Sequence, residues 1–264
     1  MKGRQDQADF PWWLVILAVL GIWLFYQVWA TGVYRAALQT LVKGIWITSY
    51  VTLVAYALAS VLGLGLALAG MSRFIVLRQL ARFYIEVMRG VPIIVLLLYV
   101  AFVVAPGFVT GWNWLTGHLG WEPMKTRDIP LLWRAVIALT LAYSSFLAEI
   151  FRAGLQAVDK GQIEAAKSLG LSGWQRFRCV VAPQAFRIIL PPFGNDFVAM
   201  VKDSSLVSVL GVSDITQLGK VTAAGNFRYF ETYNVVALLY LTLTITLSLA
   251  LRRLEARLKA RTER

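Results

Sequence analysis

Acidic side chains are scarce in this chain of 264 residues, which has 14 Asp and Glu against 26 Lys and Arg. Cysteine and histidine are scarcer still, at one residue each. A single Cys179 excludes an internal disulfide, and with one histidine there is no His/Cys cluster of the kind that holds a metal ion. His118 lies in a Gly/Trp-rich segment and is interpreted as an ordinary loop residue. We therefore expect no metal site.

Apolar sequence is abundant instead, at 58% hydrophobic residues and a mean hydropathy of +0.65. A soluble domain of this length would carry more polar surface, so the composition indicates an integral membrane protein. A membrane-spanning helix must cross a hydrocarbon core about 30 Å thick. Runs free of Asp, Glu, Lys and Arg that are long enough to do so cover residues 11–34, 44–72, 90–121 and 232–250.

Two weaker candidates with some charge complete the prediction of an all-α membrane protein with six spans, at about 12–30, 44–70, 84–106, 131–153, 186–202 and 232–252. The first span has features of a signal peptide, but its apolar run is long, so we interpret it as a retained helix. The Gly- and Trp-rich segment 107–130 is predicted to be an external loop. The segment 202–228 is predicted to be re-entrant or short helical structure.

Positive charge is unevenly divided over this topology. Eighteen of the 26 Lys and Arg residues fall on the side that holds both termini, and eight fall on the other side. Because cytoplasmic loops are enriched in Lys and Arg, both termini are predicted to be cytoplasmic. The net charge of +12 then reflects orientation and contact with anionic lipid, not nucleic-acid binding.

The polar stretch VDKGQIEAAKSLGLSGWQRF, residues 158–177, separates the fourth and fifth spans. Asp159 with Gln162, and Ser172 with Gln175, have the spacing of helix-starting capping boxes. Gly170 lies between them and can adopt the left-handed conformation that ends a helix. The stretch is therefore predicted to form two short helices joined by a tight turn.

Several interpretations of this stretch are open from the residues alone. Ala165 and Ala166 would leave a smooth surface on which another protein could settle. Alternatively, the stretch lies on the membrane with Trp174 and Phe177 among lipid headgroups. A phosphate-binding loop is excluded, since GQIEAAKS has alanine in place of the second glycine and follows no strand.

The polar stretch and the residues after it resemble the motif E-A-A-x3-G-x9-I-x-L-P of the membrane subunits of bacterial ATP-binding-cassette (ABC) importers, through Glu164, Ala165, Ala166, Gly170 and Pro183. Val180 replaces Ile and Ala182 replaces Leu, and both replacements stay apolar. FYIEVMRGVPIIVLLLYV, APQAFRIILPP and VKDSSLVSVLGVSDIT are similar to the polar amino-acid permease branch, and the similarity runs from about Gly44 to the last span.

This resemblance implies a five-helix permease core with one extra N-terminal transmembrane helix. The expected units are an N-terminal helix and linker (1–43), the transmembrane domain (44–252) with a coupling helix near 160–178, and a basic cytoplasmic tail (253–264). In the family, the motif docks in a groove on a cytoplasmic ATPase. Glu164 and Gly170 would position this handle.

The resemblance also implies the partners. They are two cytoplasmic ABC ATPase subunits, a second permease subunit that is identical or a sister chain, and a periplasmic amino-acid-binding protein. ATP and Mg would be bound by the ATPase, with no cofactor on this chain and no enzymatic activity of its own. The setting would be the bacterial inner membrane, and the function import of polar amino acids by alternating access.

Ionisable residues within spans are costly and are candidates for function. Glu86 with Arg89, and Glu149 with Arg152, each have the three-residue spacing of a local ion pair on a helix. Pro92 implies a bend after the first pair. Structural pairing and substrate contact are both open for these four residues.

The fifth span has two prolines and a glycine before Asn195 and Asp196, which predicts a broken backbone that opens polar groups to a cavity. Asp196 could pair with the ammonium group of an amino-acid substrate. Asn195 and Ser144 or Ser145 could form hydrogen bonds with the polar ends of that substrate. Interhelical hydrogen bonding is the alternative. Lys202 and Asp203 begin a run that matches K-D-[ST]-S-L of the family. This run could act as a gate or as a structural scaffold.

Other functions are weighed by what they require. The same importer class could carry an opine or another small organic ion. A membrane-embedded enzyme would need a nucleophile with a base, a His cluster or paired carboxylates in one cavity, and none is evident in the sequence. An ion-driven secondary transporter would be expected to have inverted repeats, and none is evident.

Overall fold

The computed structural model describes residues 12–260, and nearly all of them are helical, which confirms the all-α class. The helices, in chain order, are α1 (Trp12–Ala30), α2 (Gly32–Gly70), α3 (Ile75–Gly90), α4 (Ile93–Tyr99), α5 (Ala105–Thr116), α6 (Leu131–Gln156), α7 (Lys160–Ser168), α8 (Gly173–Arg176), α9 (Ala182–Asp203), α10 (Ile215–Asn226) and α11 (Tyr229–Ala260). Residues 253–260 of the predicted tail continue α11. The rest of that tail, 261–264, and the start of the predicted N-terminal unit, 1–11, lie outside the described residues.

Among the described residues, four helical segments are long and apolar enough to cross a membrane: Gly32–Gly70, Ile93–Leu119, Leu131–Gln156 and Tyr229–Arg257. The two remaining predicted spans coincide with α1 and α9. In α1, the apolar segment is shorter than these four and covers Ala18–Ala30. The count of six spans stays a prediction.

The core of the bundle lies where α2 packs against α6. Small residues line this contact on α2, among them Ala55 and Ala59, both fully buried. A β-carbon on Gly63 would lie 2.9 Å from the Ser144 carbonyl oxygen, so only glycine fits there. Small residues let two helix backbones approach closely, which is how helices gain contact where lipid supplies no hydrophobic drive.

The predicted third span, 84–106, is wrong at both ends. α3 ends at Gly90 and the next helix begins at Ile93, because proline disfavours the helical conformation of the residue before it and Val91 is extended (φ −98°, ψ 129°). The helical span then runs on to Leu119, so most of the expected loop 107–130 is helix. Glycine and tryptophan suggested a loop there, but a backbone at membrane depth must bond to itself.

Two widened π-helical turns mark the prolines that follow them. The turn Val100–Val104 precedes Pro106, and the turn Phe177–Val181 precedes Pro183. A proline ring clashes with the carbonyl four residues earlier, and a wider turn relieves that clash without ending the helix. Both helices therefore continue through a proline.

The expectation of a broken fifth span is also wrong, because α9 stays helical through Pro191 and Pro192. Proline has no N–H, so the carbonyls of Arg187 and Ile188 lose their normal helix partners there. The helix survives because its other hydrogen bonds and its packing on α6 and α11 hold it.

Within the described part of the N-terminal unit, residues 12–43, no linker segment follows the first helix. A single residue, Thr31, separates α1 from α2, and residues 32–43 form the first turns of α2. Within those turns, Tyr34, Ala37 and Leu41 are buried in a second apolar cluster with residues of α10 and α11. The extra helix α1 packs on α2 and α11 through residues that include Leu24 and Val28.

The segment 202–228 is short helical structure, as predicted. It forms a 3-10 helix, Ser204–Leu210, followed by α10. Asp214 begins α10 by accepting a hydrogen bond from the Gln217 amide at 2.8 Å, and it also accepts one from the Tyr240 hydroxyl at 3.0 Å. The bond from Tyr240 ties the start of α10 to α11.

Arg134, at the start of α6, is a buried cation that the sequence analysis did not single out. Its guanidinium donates to the carbonyls of Ala101 and Ile129, each at 2.9 Å, and to that of Thr126. Ala101 lies in a π-helical turn. The arginine thus joins the π-helical turn inside the third span to the segment before α6.

Candidate functional site: the polar hairpin and the polar seam

The polar hairpin, residues 159–178, begins with the predicted cap. Asp159 Oδ1 accepts a hydrogen bond from the Gln162 amide at 3.1 Å, which satisfies one of the free amides of α7. The Gln162 side chain does not complete a capping box. Its Oε1 instead accepts from Gln184 Nε2 at 2.6 Å, which links α7 to α9.

The turn of the polar hairpin has the predicted geometry. Gly170 has φ +78°, in the left-handed region, and the Leu171 amide donates to the Ala166 carbonyl at 3.1 Å. This pattern closes a helix end by satisfying carbonyls that lack a helical partner. Ser172 and Gln175 then form the complete predicted capping box of α8, with bonds of 2.8 and 3.4 Å.

The exposed face of the polar hairpin differs from the expected one. Ala166 is 3% exposed and faces its own chain, so only Ala165 of the alanine pair is open to a partner. Leu169 is 81% exposed and Trp174 is 68% exposed, with the Trp174 ring stacked on Phe177. Large apolar groups at a polar turn are typical of an anchor for another surface. The sequence did not point to Leu169 as a contact residue, because only the folded turn shows that its side chain faces outward.

Glu164 and Pro183 of the motif take different positions. The Glu164 side chain is exposed and has no ion pair with the described residues. Pro183 lies in the first turn of α9, directly after the π-helical turn. The polar hairpin is therefore joined to α9 with no loop, and to α6 by only two residues, 157 and 158.

The two predicted charge pairs behave differently. Glu149 and Arg152 form an ion pair on α6. Within the described residues, Glu86 and Arg89 form none, because the Arg89 guanidinium lies 6.0 Å above the ring centroid of Phe146. The prediction of a local Glu86–Arg89 pair is therefore wrong. α3 ends one residue after Arg89, which leaves its side chain free to turn towards α6.

A cavity of about 430 Å³ lies between α2, α3 and α6, at the end of α6 that leads to the polar hairpin. Its lining includes Glu149 and Arg152, Glu86 of the other predicted pair, and Arg82. Opposite charges are equally represented in this lining. The cavity can therefore accommodate a small polar group of either sign.

A set of hydrogen bonds between distant helices, which we call the polar seam, joins α2, α3, α6 and α9 through Tyr56, Tyr84, Tyr143, Ser144 and Asp203. Tyr143 on α6 donates to Asp203 Oδ2 at 2.7 Å. Asp196 is half-buried and lies seven positions, about two turns, earlier on the same face of α9. Of these two carboxylates, Asp203 is the one that bonds Tyr143.

The serines of α6 are buried and internally bonded. Ser144 Oγ donates to the Leu141 carbonyl at 2.9 Å and lies 2.9 Å from the Tyr84 hydroxyl. Ser145 Oγ donates to the Ala142 carbonyl at 2.6 Å, on its own helix. Ser144 therefore links α3 to α6, while Ser145 satisfies its hydrogen bond locally.

Asn195 and Lys202 are exposed on α9 and have no ion pair or side-chain hydrogen bond with the described residues. The structure does not bring them into the polar seam. Tyr56 and Tyr143 were missed, since a tyrosine in an apolar helix gives no local sign of its partner. Tyr56 donates to the Phe193 carbonyl of α9, 137 positions along the chain.

The chain is similar to known transport proteins. Residues 59–263 match the family model described as binding-protein-dependent transport system inner membrane component. The probable amino-acid permease protein YxeN of Bacillus subtilis is 37% identical over 81% of this chain and 89% of its own length. The glutamine transport system permease protein GlnP of Escherichia coli K12 is 35% identical over 84% of this chain and 94% of its own length.

Solved structures agree. The crystal structure of an amino acid ABC transporter with histidines contains a chain that is 36% identical, with a TM-score of 0.69, over 83% of this chain and 94% of that one. The inward-facing methionine ABC transporter MetNI shares the fold at 21% identity, with a TM-score of 0.64. The chain belongs to the family of binding-protein-dependent transport system inner membrane components, the permease subunits of ABC importers that residues 164–183 resemble.

Proposed function

We propose that this chain is the transmembrane permease subunit of an ATP-driven importer of polar amino acids. Its partners are two cytoplasmic ABC ATPase subunits, which bind ATP and Mg, a second permease subunit and a periplasmic amino-acid-binding protein. Amino-acid cargo is supported by the names of the relatives and by the shared motifs. The chain is multi-pass in the bacterial inner membrane, with both termini cytoplasmic.

The polar hairpin is the observation that carries this proposal. It is a doubly capped unit with an exposed apolar tip, and its two ends lead directly into α6 and α9. Movement of a docked ATPase would therefore be passed to both helices at once. Glu164, Ala165 and Gly170 act in docking, while Ala166 and Pro183 hold the hairpin on the bundle.

The polar seam supports a path for substrate along α6 and α9. Asp196 and Asp203 supply negative charge there, and Asn195 and Lys202 are exposed polar groups on the same helix. ATP binding shifts the population between inward- and outward-facing states by favouring one spacing of the two hairpins in the permease pair. The seam bonds hold α6 and α9 in register during that shift.

Transport tests the proposal directly. The chain is co-expressed with the ATPase, second permease and binding protein encoded beside it, and the complex is reconstituted in liposomes. We expect amino-acid uptake that requires ATP and the binding protein. Uptake that persists without the ATPase and follows an ion gradient would contradict the proposal in favour of a secondary transporter. Selective uptake of an opine would correct the cargo only.

Orientation has its own test, since Cys179 is the single cysteine and is exposed. A membrane-impermeant maleimide should label Cys179 in inside-out vesicles and leave it unlabelled in intact spheroplasts. A Cys179→Ser chain with Glu122→Cys in the opposite loop should give the reverse pattern. Labelling of Cys179 from the periplasm would rule out a cytoplasmic hairpin.

A further inference from the structure

The helix α3, Ile75–Gly90, has three distinct faces. Ala81 and Ile85 are buried where α3 packs on α2 and α6. The second face is open, and the third is only partly covered, because Arg82 borders the cavity between α2, α3 and α6 and Arg89 lies over Phe146 of α6. Their composition indicates what covers them.

The second face is an apolar stripe of Val76, Leu80, Phe83 and Val87. These residues recur at helical spacing, so they form one line along the helix. Their exposed fractions run from 39% for Val87 to 69% for Phe83. A line of this length left open is covered by another apolar surface.

The third face is an arginine stripe of Arg78, Arg82 and Arg89, with spacings of four and seven residues that place all three on one side. Arg73 lies just before the helix. Glu86 is the one acidic residue between positions 70 and 93, and it has no ion pair with the described residues. The stripe is therefore strongly cationic.

The position of α3 selects between possible occupants. It follows the end of α2 and precedes the span that begins at Ile93, so it lies where the chain turns back into the membrane. An apolar line beside a cationic line on a helix at that level is the pattern of an interfacial helix. Arginines at that level attract the phosphates of anionic lipids.

We propose that α3 is a lipid-binding helix that holds anionic phospholipid headgroups of the inner leaflet on Arg78, Arg82 and Arg89. The acyl chains cover the apolar stripe. The headgroup is assigned to Arg78 and Arg89 with the outward side of Arg82, because the cavity behind the stripe, which Arg82 also borders, has two Arg and two Glu in its lining.

Bound lipid would act on the helix that leads to the polar hairpin. The Tyr84 hydroxyl of α3 lies 2.9 Å from Ser144 Oγ, and Arg89 lies over Phe146, both on α6. A headgroup that draws Arg89 away from Phe146 changes this contact. The effect on ATP hydrolysis rests on the proposed function, whereas the binding itself does not.

The binding test uses the full chain in detergent, with phosphatidylglycerol and phosphatidylcholine as probes and native mass spectrometry as the readout. We expect a preference for phosphatidylglycerol. Each arginine should contribute about fivefold, so the triple variant R78Q/R82Q/R89Q should lose affinity by on the order of a hundredfold. The triple lysine variant should keep most of the preference.

The matched control is R252Q/R253Q/R257Q, which removes the same charge from exposed arginines on α11. Equal loss in both triple variants, or equal binding of the two lipids by the native chain, would overturn the proposal. So would loss of the ATPase from the R78Q/R82Q/R89Q complex in lipid-free detergent, since the stripe would then bind protein. Phe83→Glu, which keeps every arginine, should weaken lipid binding about tenfold.

In nanodiscs, the native complex should hydrolyse ATP faster when phosphatidylglycerol is present, and the R78Q/R82Q/R89Q complex should not respond. A native complex that is active but indifferent to phosphatidylglycerol would overturn the effect on α6. A native complex with no ATP-dependent transport in any lipid would contradict the proposed function, and the mass-spectrometric result would stand apart from it.

Discussion

The polar hairpin and the polar seam differ in how far apart along the chain their hydrogen-bonded residues lie. In the hairpin, the bonds that cap α7 and α8 and close the turn join residues three to five positions apart. In the seam, Tyr84 and Ser144 are 60 positions apart, as are Tyr143 and Asp203. The hairpin is therefore a local structure that can present itself to a partner, whereas the seam exists only while the helices are packed.

This difference predicts opposite consequences for substitutions. Changes in the hairpin should affect docking of the ATPase and leave the bundle intact. Changes in the seam should affect stability or transport and leave docking intact.

The largest effect is expected for Gly170→Val. A β-branched residue is strongly disfavoured at φ +78°, so the turn between α7 and α8 should be lost. We expect retention of the ATPase during purification to fall tenfold or more, while membrane insertion and thermal unfolding of the chain stay normal. Gly173→Ala is the control, since its added carbon has ordinary contacts. Full retention by Gly170→Val would contradict the docking role.

Asp196→Asn should lower uptake of a zwitterionic or cationic amino acid by roughly tenfold, because a hydrogen bond to a charged group is worth about 1.5–3 kcal/mol. The ATPase should be retained in full, unlike with Gly170→Val. Uptake and ATPase content are measured on the same reconstituted complex. Uptake at the native rate would rule out a role for the Asp196 charge in transport.

Tyr143→Phe removes the hydroxyl that bonds Asp203 and leaves the ring in place. The loss of one donor by the half-buried Asp203 carboxylate should cost about 1–3 kcal/mol in unfolding free energy. Tyr233→Phe, at an exposed tyrosine of α11, should cost close to nothing. Denaturant unfolding of the purified chain compares the two, and equal stability would show that the seam bond contributes little.

The smallest effects separate the two Glu-x-x-Arg pairs. Glu149→Gln should destabilise the chain by a few tenths of a kcal/mol, since it breaks a partly exposed ion pair. Glu86→Gln should leave unfolding unchanged, because Glu86 has no ion pair with the described residues. Both variants are compared by thermal unfolding at low and high salt. A larger effect of Glu86→Gln would contradict the observed contacts.

Prediction from the sequence succeeded where the cause is local. Gly170, Ser172 and Gln175 form the turn and cap that their types and spacing imply, and the apolar runs are helices. Prediction failed where a side chain's position depends on residues of another helix. Glu86 and Arg89 have the spacing of Glu149 and Arg152, yet Phe146 draws Arg89 away.

Prolines show the same limit. Pro92 ends α3, whereas Pro191 and Pro192 lie inside α9. The residue type is the same in each case, but packing on α6 and α11 holds α9 together. The glycines and tryptophans after Pro106 suggested a loop, and the need to satisfy backbone groups at membrane depth keeps most of that segment helical.

The sequence by itself determined the membrane class, the helical hairpin and the family, because hydropathy, caps and motif residues act within a few positions along the chain. Only the tertiary structure decided that Ala166 faces inward and Leu169 outward, that Tyr143 meets Asp203, and that Arg89 lies over Phe146. Those features depend on which helices lie side by side, and no short stretch of residues carries that information.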